Sequence, residues 1–244
     1  MNDGYARLDG FLTAEAIATL RAAVDDALAA PPVPGCDREH NQLAPLRWCD
    51  RAVDVVLRDP ALVRAIARAA GARDLRWISG YASVKHPGTG ALAWHRDWWC
   101  WDHPVSLRRA AAQVAVLVYL SDTDERSGAL RVVPGSHHSS RVHGELTLPA
   151  RAGDAVLFDY RLLHGTHPNA APHRRDALLL SFTPSWNELP RDLRAHLIQH
   201  LALPGPGEDI RAGGWQAELL PRFDGPRADL PLTREPPAEF LVAG

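Results

Sequence analysis

The sequence predicts a mainly β protein with flanking helices, in which the strands form a sandwich or jelly roll. From about Leu75 onward, short runs rich in Val, Leu and Tyr are separated by Gly, Pro and Asp, which is typical of short strands joined by turns. No helical pattern alternates with these runs, and this argues against a doubly wound parallel sheet. Before Leu75, apolar residues recur at helical spacing instead. We therefore expect a β core with helices packed beside it.

The first helix is expected to begin after Thr13, whose hydroxyl can cap it. Glu15 lies in the first turn, where the helix dipole favours negative charge. The apolar residues of this segment recur on one helical face: Ile17, Leu20, Val24, Ala27 and Leu28. Prolines within 31–34 end the helix, and the stretch from Gly35 to Leu46 is expected to be a loop.

A further helix is predicted from Asp59-Pro60 to Gly71. Asp can cap a helix, Pro is preformed for its first position, and Gly is a common helix end. Another helix is expected from about Pro190 to Leu201, and the tail beyond Pro204 is expected to be partly irregular because it is rich in Pro, Gly and charge.

Six strands are predicted from the runs that contain β-branched and aromatic residues. They are Ile78–Val84, Gln113–Leu120, Ala129–Val133, Glu145–Leu148, Asp154–Phe158 and Ala177–Thr183. No repeat and no clean linker divides the chain, so we expect one domain over residues 1–244. Its expected parts are a helical N-terminal part (1–74), a jelly-roll core (about 75–186), and a C-terminal helix with an irregular tail (187–244).

Composition excludes several classes of protein. The chain has 244 residues, of which 46% are hydrophobic and 23% charged, with a formal net charge of −2. Neither nucleic acid nor an anionic membrane is expected as a partner. The N-terminus lacks the pattern of a signal peptide, no apolar run is long enough for a membrane span, and three cysteines are too few for a disulfide framework. We expect a cytoplasmic enzyme.

The segment Trp94-His95-Arg96-Asp97-Trp98 contains the most informative residues for chemistry. In extended chain, residues i and i+2 point the same way, so His95 and Asp97 can face one metal ion. His164 follows another predicted strand. Two histidines and one carboxylate form the facial triad of non-haem iron(II) oxygenases, which leaves positions open for a co-substrate and oxygen. With 12 histidines in the chain, such a pair also arises by chance, so its surroundings must decide.

Arg175 lies just before the last predicted strand. An arginine there can reach into the barrel and hold a carboxylate in two-point geometry. Taken alone, a solvated surface arginine beside Arg174 is the better explanation.

Several separated motifs, in the expected order, resemble the phytanoyl-CoA dioxygenase family of iron(II)- and 2-oxoglutarate-dependent oxygenases. The resemblance runs from Gly4 to about Pro184. The motifs are Gly4–Leu12 followed by a helix, Lys85-His86-Pro87-Gly88, Trp94-His95-Arg96-Asp97, the stretch Ser127–His137 with its Pro134-Gly135-Ser136 turn, Gly153-Asp154 before a strand, and His164-Gly165-Thr166 followed by Asn169 and Arg175.

The resemblance implies a double-stranded β-helix, the cupin-like form of the jelly roll, with N-terminal helices packed on one sheet. It implies that His95, Asp97 and His164 are the catalytic iron ligands. Arg175 would bind the distal carboxylate of 2-oxoglutarate, and Thr166 matches a hydroxyl position that assists that arginine. The implied cofactors are Fe(II), 2-oxoglutarate as co-substrate, and O2, with succinate and CO2 as products.

Two positions qualify this picture. Where several relatives place an aromatic residue beside the co-substrate, the alignment has Leu117, and Gln113 is a polar substitute for that contact. The halogenating branch of the family replaces the carboxylate by a small residue, so Asp97 indicates hydroxylation or a related oxidation.

Other residues compete for these roles. Arg174 competes with Arg175, and His167 competes with His164, but the spacing favours Arg175 and His164. His137 resembles a structural residue of the family turn, and a ligand role is not expected for it or for His138. The aromatic cluster beside the ligands fits a substrate pocket and core or lid packing equally well: Trp94, Trp98, Trp99 and Trp101.

The expected function is oxidation, above all hydroxylation, of an unactivated C–H bond in a small molecule of secondary metabolism. Two alternatives stay open: a non-catalytic ligand-binding jelly roll, and a metal enzyme of another class on the same barrel, such as a zinc hydrolase. The sequence leaves open whether the substrate is free or carrier-bound, and it leaves the oligomeric state unknown.

Overall fold

The computed structural model describes residues 1–31, 33, 37, 40–139, 144–205, 207–208, 214–237 and 240. The helices within these residues are α1 (Ala14–Ala29), α2 (Arg51–Leu57), α3 (Pro60–Ala70), α4 (Arg191–Leu197) and α5 (Trp215–Leu219). The strands are β1 (Tyr5–Leu8), β2 (Gln42–Leu46), β3 (Arg76–Lys85), β4 (Leu92–His95), β5 (Val114–Tyr119), β6 (Leu130–Val132), β7 (Leu146–Leu148), β8 (Ala155–Asp159), β9 (His164–Thr166) and β10 (Arg175–Thr183).

The strands form two antiparallel sheets that enclose the barrel interior. The larger sheet has the order β1-β8-β5-β10-β3-β2, and the smaller has the order β4-β9-β6-β7. Every neighbouring pair is antiparallel. From β3 onward the chain passes repeatedly between the two sheets, so strands that are distant in sequence become neighbours, as β3 and β10 do.

β5 shows how the larger sheet separates two apolar layers. All six of its residues are buried. Val116 packs with α1, α2 and α3 in the core outside the barrel, whereas Leu117 and Tyr119 pack with Leu130 of the smaller sheet inside it. Alternate strand residues point to opposite faces, so a nearly continuous apolar strand serves both layers.

The predicted helix ends are confirmed where local chemistry determines them. Thr13 Oγ1 accepts from the Ala16 N–H (3.2 Å) and Asp59 Oδ1 accepts from the Ala61 N–H (2.8 Å). Gly71 ends α3 in the left-handed conformation, with φ of 61°. The last predicted helix is shorter than expected, since α4 ends at Leu197.

The N-terminal part corrects two expectations. Residues 1–74 are not purely helical, because β1 pairs with β8 and β2 pairs with β3. The segment expected to be a loop, Gly35 to Leu46, contains β2; residues 35–36 and 38–39 of it lie outside the described residues. The sequence patterns also did not predict β4 and β9, which are only four and three residues long, respectively.

The C-terminal part of the chain contains a helix that the sequence patterns did not predict. The short helix α5 lies within the tail that was expected to be irregular. No helix in the described part of the chain combines the length and apolar character that crossing a membrane requires.

Candidate metal centre

Pairing of the two short strands β4 and β9 brings the predicted ligands together. His95 and His164 are direct partners in this antiparallel pair, and cross-strand partners have neighbouring side chains on one face. Their ring centroids are 4.2 Å apart. Asp97 follows β4 by two residues, so its carboxylate reaches the same side.

The three side chains form a compact donor set. His95 Nε2 lies 3.7 Å from Asp97 Oδ1, and His164 Nε2 lies 3.6 Å from Asp97 Oδ2. One ligand atom from each residue lies within 4.8 Å of the other two. Asp97 and His164 are buried, and His95 is partly exposed. Two imidazole nitrogens and a carboxylate on one face of a single metal position suit iron(II) and leave its other coordination positions open.

Backbone carbonyls orient both histidine rings in the same way. His95 Nδ1–H donates to the Ala93 carbonyl (2.8 Å), and His164 Nδ1–H donates to the Leu162 carbonyl (2.9 Å). Each bond reaches back two residues and places the proton on Nδ1. Nε2 of each ring therefore keeps its lone pair toward the centre, as metal-binding histidines require.

A narrow slot leads from this centre to Arg175. The ligands line it together with Ser83, Thr166 and Arg175. Leu92 N–H donates to Thr166 Oγ1 (3.3 Å), so the hydroxyl proton of Thr166 is available toward the slot. The described structure therefore brings together the three predicted metal ligands and two of the three residues expected to bind the co-substrate.

Among the described residues, no carboxylate pairs with the buried guanidinium of Arg175. The residue is 2% exposed, its Nε has no hydrogen-bond partner among the described residues, and Nη1 makes a single long contact with Ser83 Oγ (3.5 Å). Burial lowers the pKa of Arg175, and Tyr119 and Asp176 oppose that shift. An unpaired buried charge is costly, so this end of the slot suits the carboxylate of a bound dicarboxylate.

Arg174 lies in a different environment. Its guanidinium pairs with Asp25 of α1 and with Asp176, outside the barrel. These carboxylates raise the pKa of Arg174. Successive strand residues face opposite sides, and this explains why Arg175 faces the slot whereas its neighbour does not.

Sequence reasoning missed Tyr119, which lies near Arg175. Its phenol oxygen is buried, and both the charge of Arg175 and the backbone N–H of Leu130 act on it. Burial raises the pKa of Tyr119, and the charge of Arg175 opposes the rise. A buried phenol near the guanidinium that lines the slot suits a carboxylate ligand better than an apolar one. Nothing in the sequence indicated this role, because Tyr119 ends a run of strand residues that are all buried.

Lys85, the single lysine of the chain, is also buried beside Arg175. Its ammonium donates to the carbonyls of His40 (3.1 Å) and Gly90 (2.5 Å). Burial, and secondarily the charge of Arg175, lower the pKa of Lys85 to about 8. Gly128 leaves room for the lysine stem, since a Cβ there would lie 2.6 Å from Lys85 Cδ.

Gln113 and Leu117 line two different cavities. Leu117 lines the slot, at the position where the family resemblance implies an aromatic side chain. Gln113 lines a larger cavity on the other side of Asp97. There its Oε1 accepts from the Trp99 indole N–H at 2.7 Å. A direct contact between Gln113 and 2-oxoglutarate stays a prediction.

The competing histidines lie away from the ligand set. His167 Nε2 is bonded to Thr147 Oγ1 on β7 (2.8 Å). His137 is buried and its ring packs against that of His138, with centroids 3.9 Å apart. Burial lowers the pKa of His137 to about 4.

The four tryptophans have different roles in packing. Trp98 and Trp101 are core residues of a C-terminal apolar cluster. Trp94 is exposed and lies under the Arg131 guanidinium, 4.5 Å from it. Trp99 belongs to the cluster and also lines the larger cavity. The two interpretations of the cluster therefore apply to different members.

The family model described as phytanoyl-CoA dioxygenase matches residues 1–177. This chain belongs to that family. The match covers β1 through the first residues of β10 and includes every predicted ligand.

Related proteins that are named as dioxygenases share only limited sequence identity with this chain. The chain is 33% identical over 119 residues to the dioxygenase FUM3 of Gibberella moniliformis, an alignment that covers 44% of this chain and only 39% of that protein. It is 23% identical over 234 residues to the ectoine dioxygenase of Sphingopyxis alaskensis, covering 77% of this chain and 74% of that protein.

Solved structures share the fold. The epimerase SnoN in complex with Fe3+, alpha ketoglutarate and nogalamycin RO superimposes with a TM-score of 0.66 at 20% identity, covering 91% of this chain and 93% of that chain. The predicted phytanoyl-CoA dioxygenase family and jelly-roll fold are confirmed. The chain is thus an iron(II)- and 2-oxoglutarate-dependent dioxygenase, and its predicted cofactors are those of its family.

Proposed function

We propose that His95, Asp97 and His164 hold Fe(II), that Arg175 holds 2-oxoglutarate, and that the enzyme hydroxylates an unactivated C–H bond of a small molecule in secondary metabolism. The observation that carries this proposal is the combination of a preoriented donor set with a slot that ends at a buried guanidinium, for which the described residues offer no carboxylate partner. When bound, iron and 2-oxoglutarate supply the oxidising chemistry together with O2, and succinate and CO2 are released.

The side chains of this protein supply position and a restricted environment. The carbonyls of Ala93 and Leu162 fix the two imidazole rings. Arg175 and Tyr119, on the larger sheet, would orient the distal carboxylate, and Thr166 would support it from β9 of the smaller sheet. Burial of these groups strengthens their electrostatic contacts, because little water competes for them.

Asp97 favours hydroxylation over halogenation, because its carboxylate takes the position that a halide would need. The zinc-hydrolase alternative uses the same three ligands but gives no role to the slot and its buried guanidinium. The non-catalytic alternative is disfavoured by the complete donor set.

Succinate formation tests the proposal. Purified protein supplied with Fe(II), 2-oxoglutarate and O2 should form succinate, and His95→Ala should abolish this. His167→Ala is the matched control, because His167 lies outside the donor set and bonds to Thr147. Unchanged succinate formation in His95→Ala would refute the ligand assignment, and succinate formation without added iron would refute the proposed metal.

We also propose that residues 1–244 act as one domain. The N-terminal strand β1 completes the larger sheet, and C-terminal residues such as His196 share a cavity with Asp97. Cytoplasmic location stays a prediction from the sequence, and the choice between a free and a carrier-bound substrate stays open.

A further inference from the structure

The larger cavity is the natural place for the substrate, and its lining indicates a substrate class. It measures about 680 Å³ and reaches Asp97, within the range of sites that accept drug-sized molecules. Its walls come from both the barrel and the C-terminal segment. The interior and the rim differ in chemistry.

The interior wall carries uncharged hydrogen-bonding groups between aromatic faces. Ser79 and Gln113 are buried there. Trp99 is held in place because its indole N–H donates to Gln113 Oε1 (2.7 Å). Tyr81 and Tyr160 add further aromatic surface. Such a wall suits a molecule that has both apolar C–H faces and many oxygen atoms.

Two histidines on the C-terminal side present the same donor. His196 Nδ1 accepts from the Leu230 N–H (3.0 Å), and His200 Nδ1 accepts from the Ala202 N–H (3.1 Å). Because each Nδ1 accepts, the ring proton must lie on Nε2. Burial lowers the pKa of both rings, so they are neutral donors near pH 7. His196 also stacks on Trp99, with centroids 4.5 Å apart and planes at 28°.

Charged groups other than Asp97 lie at the exposed rim. Among the described lining residues these are Asp37, Asp229 and Arg234. A phosphate-bearing substrate such as an acyl-CoA would meet one arginine and two carboxylates, which is poor charge complementarity. A long alkyl chain would offer no hydrogen bonds to the polar groups of the interior wall, and this disfavours it.

We propose that this cavity takes an uncharged, polyhydroxylated ring, such as a sugar residue of a glycoside, with its oxygens bonded by His196 and His200. The ring faces stack on the aromatic wall around Trp99, while the hydroxyls exchange hydrogen bonds with Gln113 and Ser79. The reaction at this ring rests on the proposed function, but the binding preference does not.

Ligand-detected saturation-transfer NMR tests the binding directly. The protein is loaded with Zn(II), as a diamagnetic substitute for iron, and with 2-oxoglutarate. The probes are methyl α-D-glucopyranoside, methyl β-D-galactopyranoside, methyl α-L-rhamnopyranoside and lactose, with glucose 6-phosphate and octanoate as contrasting ligands. We expect saturation transfer to at least one glycoside and weaker transfer to the phosphate and the fatty acid.

Variants assign the binding to the cavity. His200→Ala and His196→Phe each remove one N–H donor, and His196→Phe keeps a ring stacked on Trp99. Each should weaken glycoside binding about fivefold, the effect of one net hydrogen bond of about 1 kcal/mol. His173→Ala is the control, since His173 is exposed and does not line the cavity. A melting temperature close to wild type shows that each variant is folded, and if one fails to fold the other carries the test.

The outcomes separate this inference from the proposed function. Failure of every glycoside to bind, tighter binding of octanoate or glucose 6-phosphate, or unchanged glycoside binding in both folded histidine variants would overturn the inference. Glycoside binding together with iron-dependent succinate formation supports both proposals. Glycoside binding in a protein that forms no succinate with iron would refute the proposed function and leave the inference supported.

Discussion

The narrow slot and the larger cavity meet at Asp97, yet they are built from different parts of the chain. Paired strands position the slot residues: His95 and His164 are cross-strand partners, and Arg175 begins the long strand β10. The cavity wall depends on α4 and on the segment around residues 229–234. Side chains on hydrogen-bonded strands have fixed directions, whereas loop segments tolerate replacement. The proposed reaction chemistry therefore lies at the paired strands, whereas the proposed substrate preference also depends on α4 and the C-terminal segment.

Removal of a metal ligand should have the largest effect of any change in the slot. Asp97→Ala deletes the carboxylate between the two imidazoles, and Fe(II) affinity should fall by more than the roughly 10- to 100-fold that loss of an outer-shell partner costs. Anaerobic titration with Fe(II) measures this. An Asp97→Ala protein that binds iron as tightly as wild type would show that the donor set is not the metal site.

Loss of the slot arginine should act on the co-substrate and spare the metal. Arg175→Met should weaken 2-oxoglutarate binding roughly 10- to 100-fold, since a charge-assisted hydrogen bond contributes about 1.5–3 kcal/mol. Arg174→Met is the matched control, because Arg174 pairs with Asp25 and Asp176 outside the barrel. Calorimetric titration of each metal-loaded variant with 2-oxoglutarate gives its affinity for the co-substrate. Titration of the metal-free protein gives its affinity for the metal. Equal losses in the two variants would contradict the assignment.

Tyr119 should make a smaller contribution at the same end of the slot. Tyr119→Phe removes only a phenol oxygen, so 2-oxoglutarate affinity should fall roughly 2- to 10-fold while Fe(II) affinity stays at the wild-type value. The same titration, repeated with oxalate as a ligand without the distal carboxylate, isolates the effect. Equal weakening of oxalate and 2-oxoglutarate would show that Tyr119 acts elsewhere.

Lys85 should have the weakest effect of the four residues, which is to make 2-oxoglutarate binding depend on pH. Its folded pKa is about 8, so its charge is present below that pH and is lost as the pH rises through it. Because this charge lies near the anion-binding end, 2-oxoglutarate affinity should fall about two- to fivefold between pH 7 and 9. Lys85→Arg keeps the charge over this range and should remove the step. An identical pH profile in both proteins would assign the titration to another group.

What the sequence revealed depended on whether the information was local. Helix ends at Thr13, Asp59 and Gly71 were predictable because each rests on a side chain or glycine within a few residues. The strand β2 was missed because it contains Pro45, which disfavours a strand except at an edge, and β2 is an edge strand of the larger sheet. Its pairing with β3 is set by residues about 40 positions away.

The same distinction holds within the site. The grouping of His95, Asp97 and His164 was predictable because few residue types suit iron and their spacing resembles that of the family. Tyr119 was not, since only its depth in the barrel and its proximity to Arg175 give it meaning. His196 and His200 gain significance only when the C-terminal segment folds back toward Asp97 and their Nδ1 atoms accept backbone N–H groups.

One spectroscopic titration tests the central claim most directly. Anaerobic addition of Fe(II) and 2-oxoglutarate should produce the visible absorption band of a bidentate iron–2-oxoglutarate complex at one equivalent of each. The band should be absent in His164→Ala and shifted to higher 2-oxoglutarate concentration in Arg175→Met. A band of wild-type strength in His164→Ala, or no band in the wild-type protein, would contradict the assignment of the triad and slot.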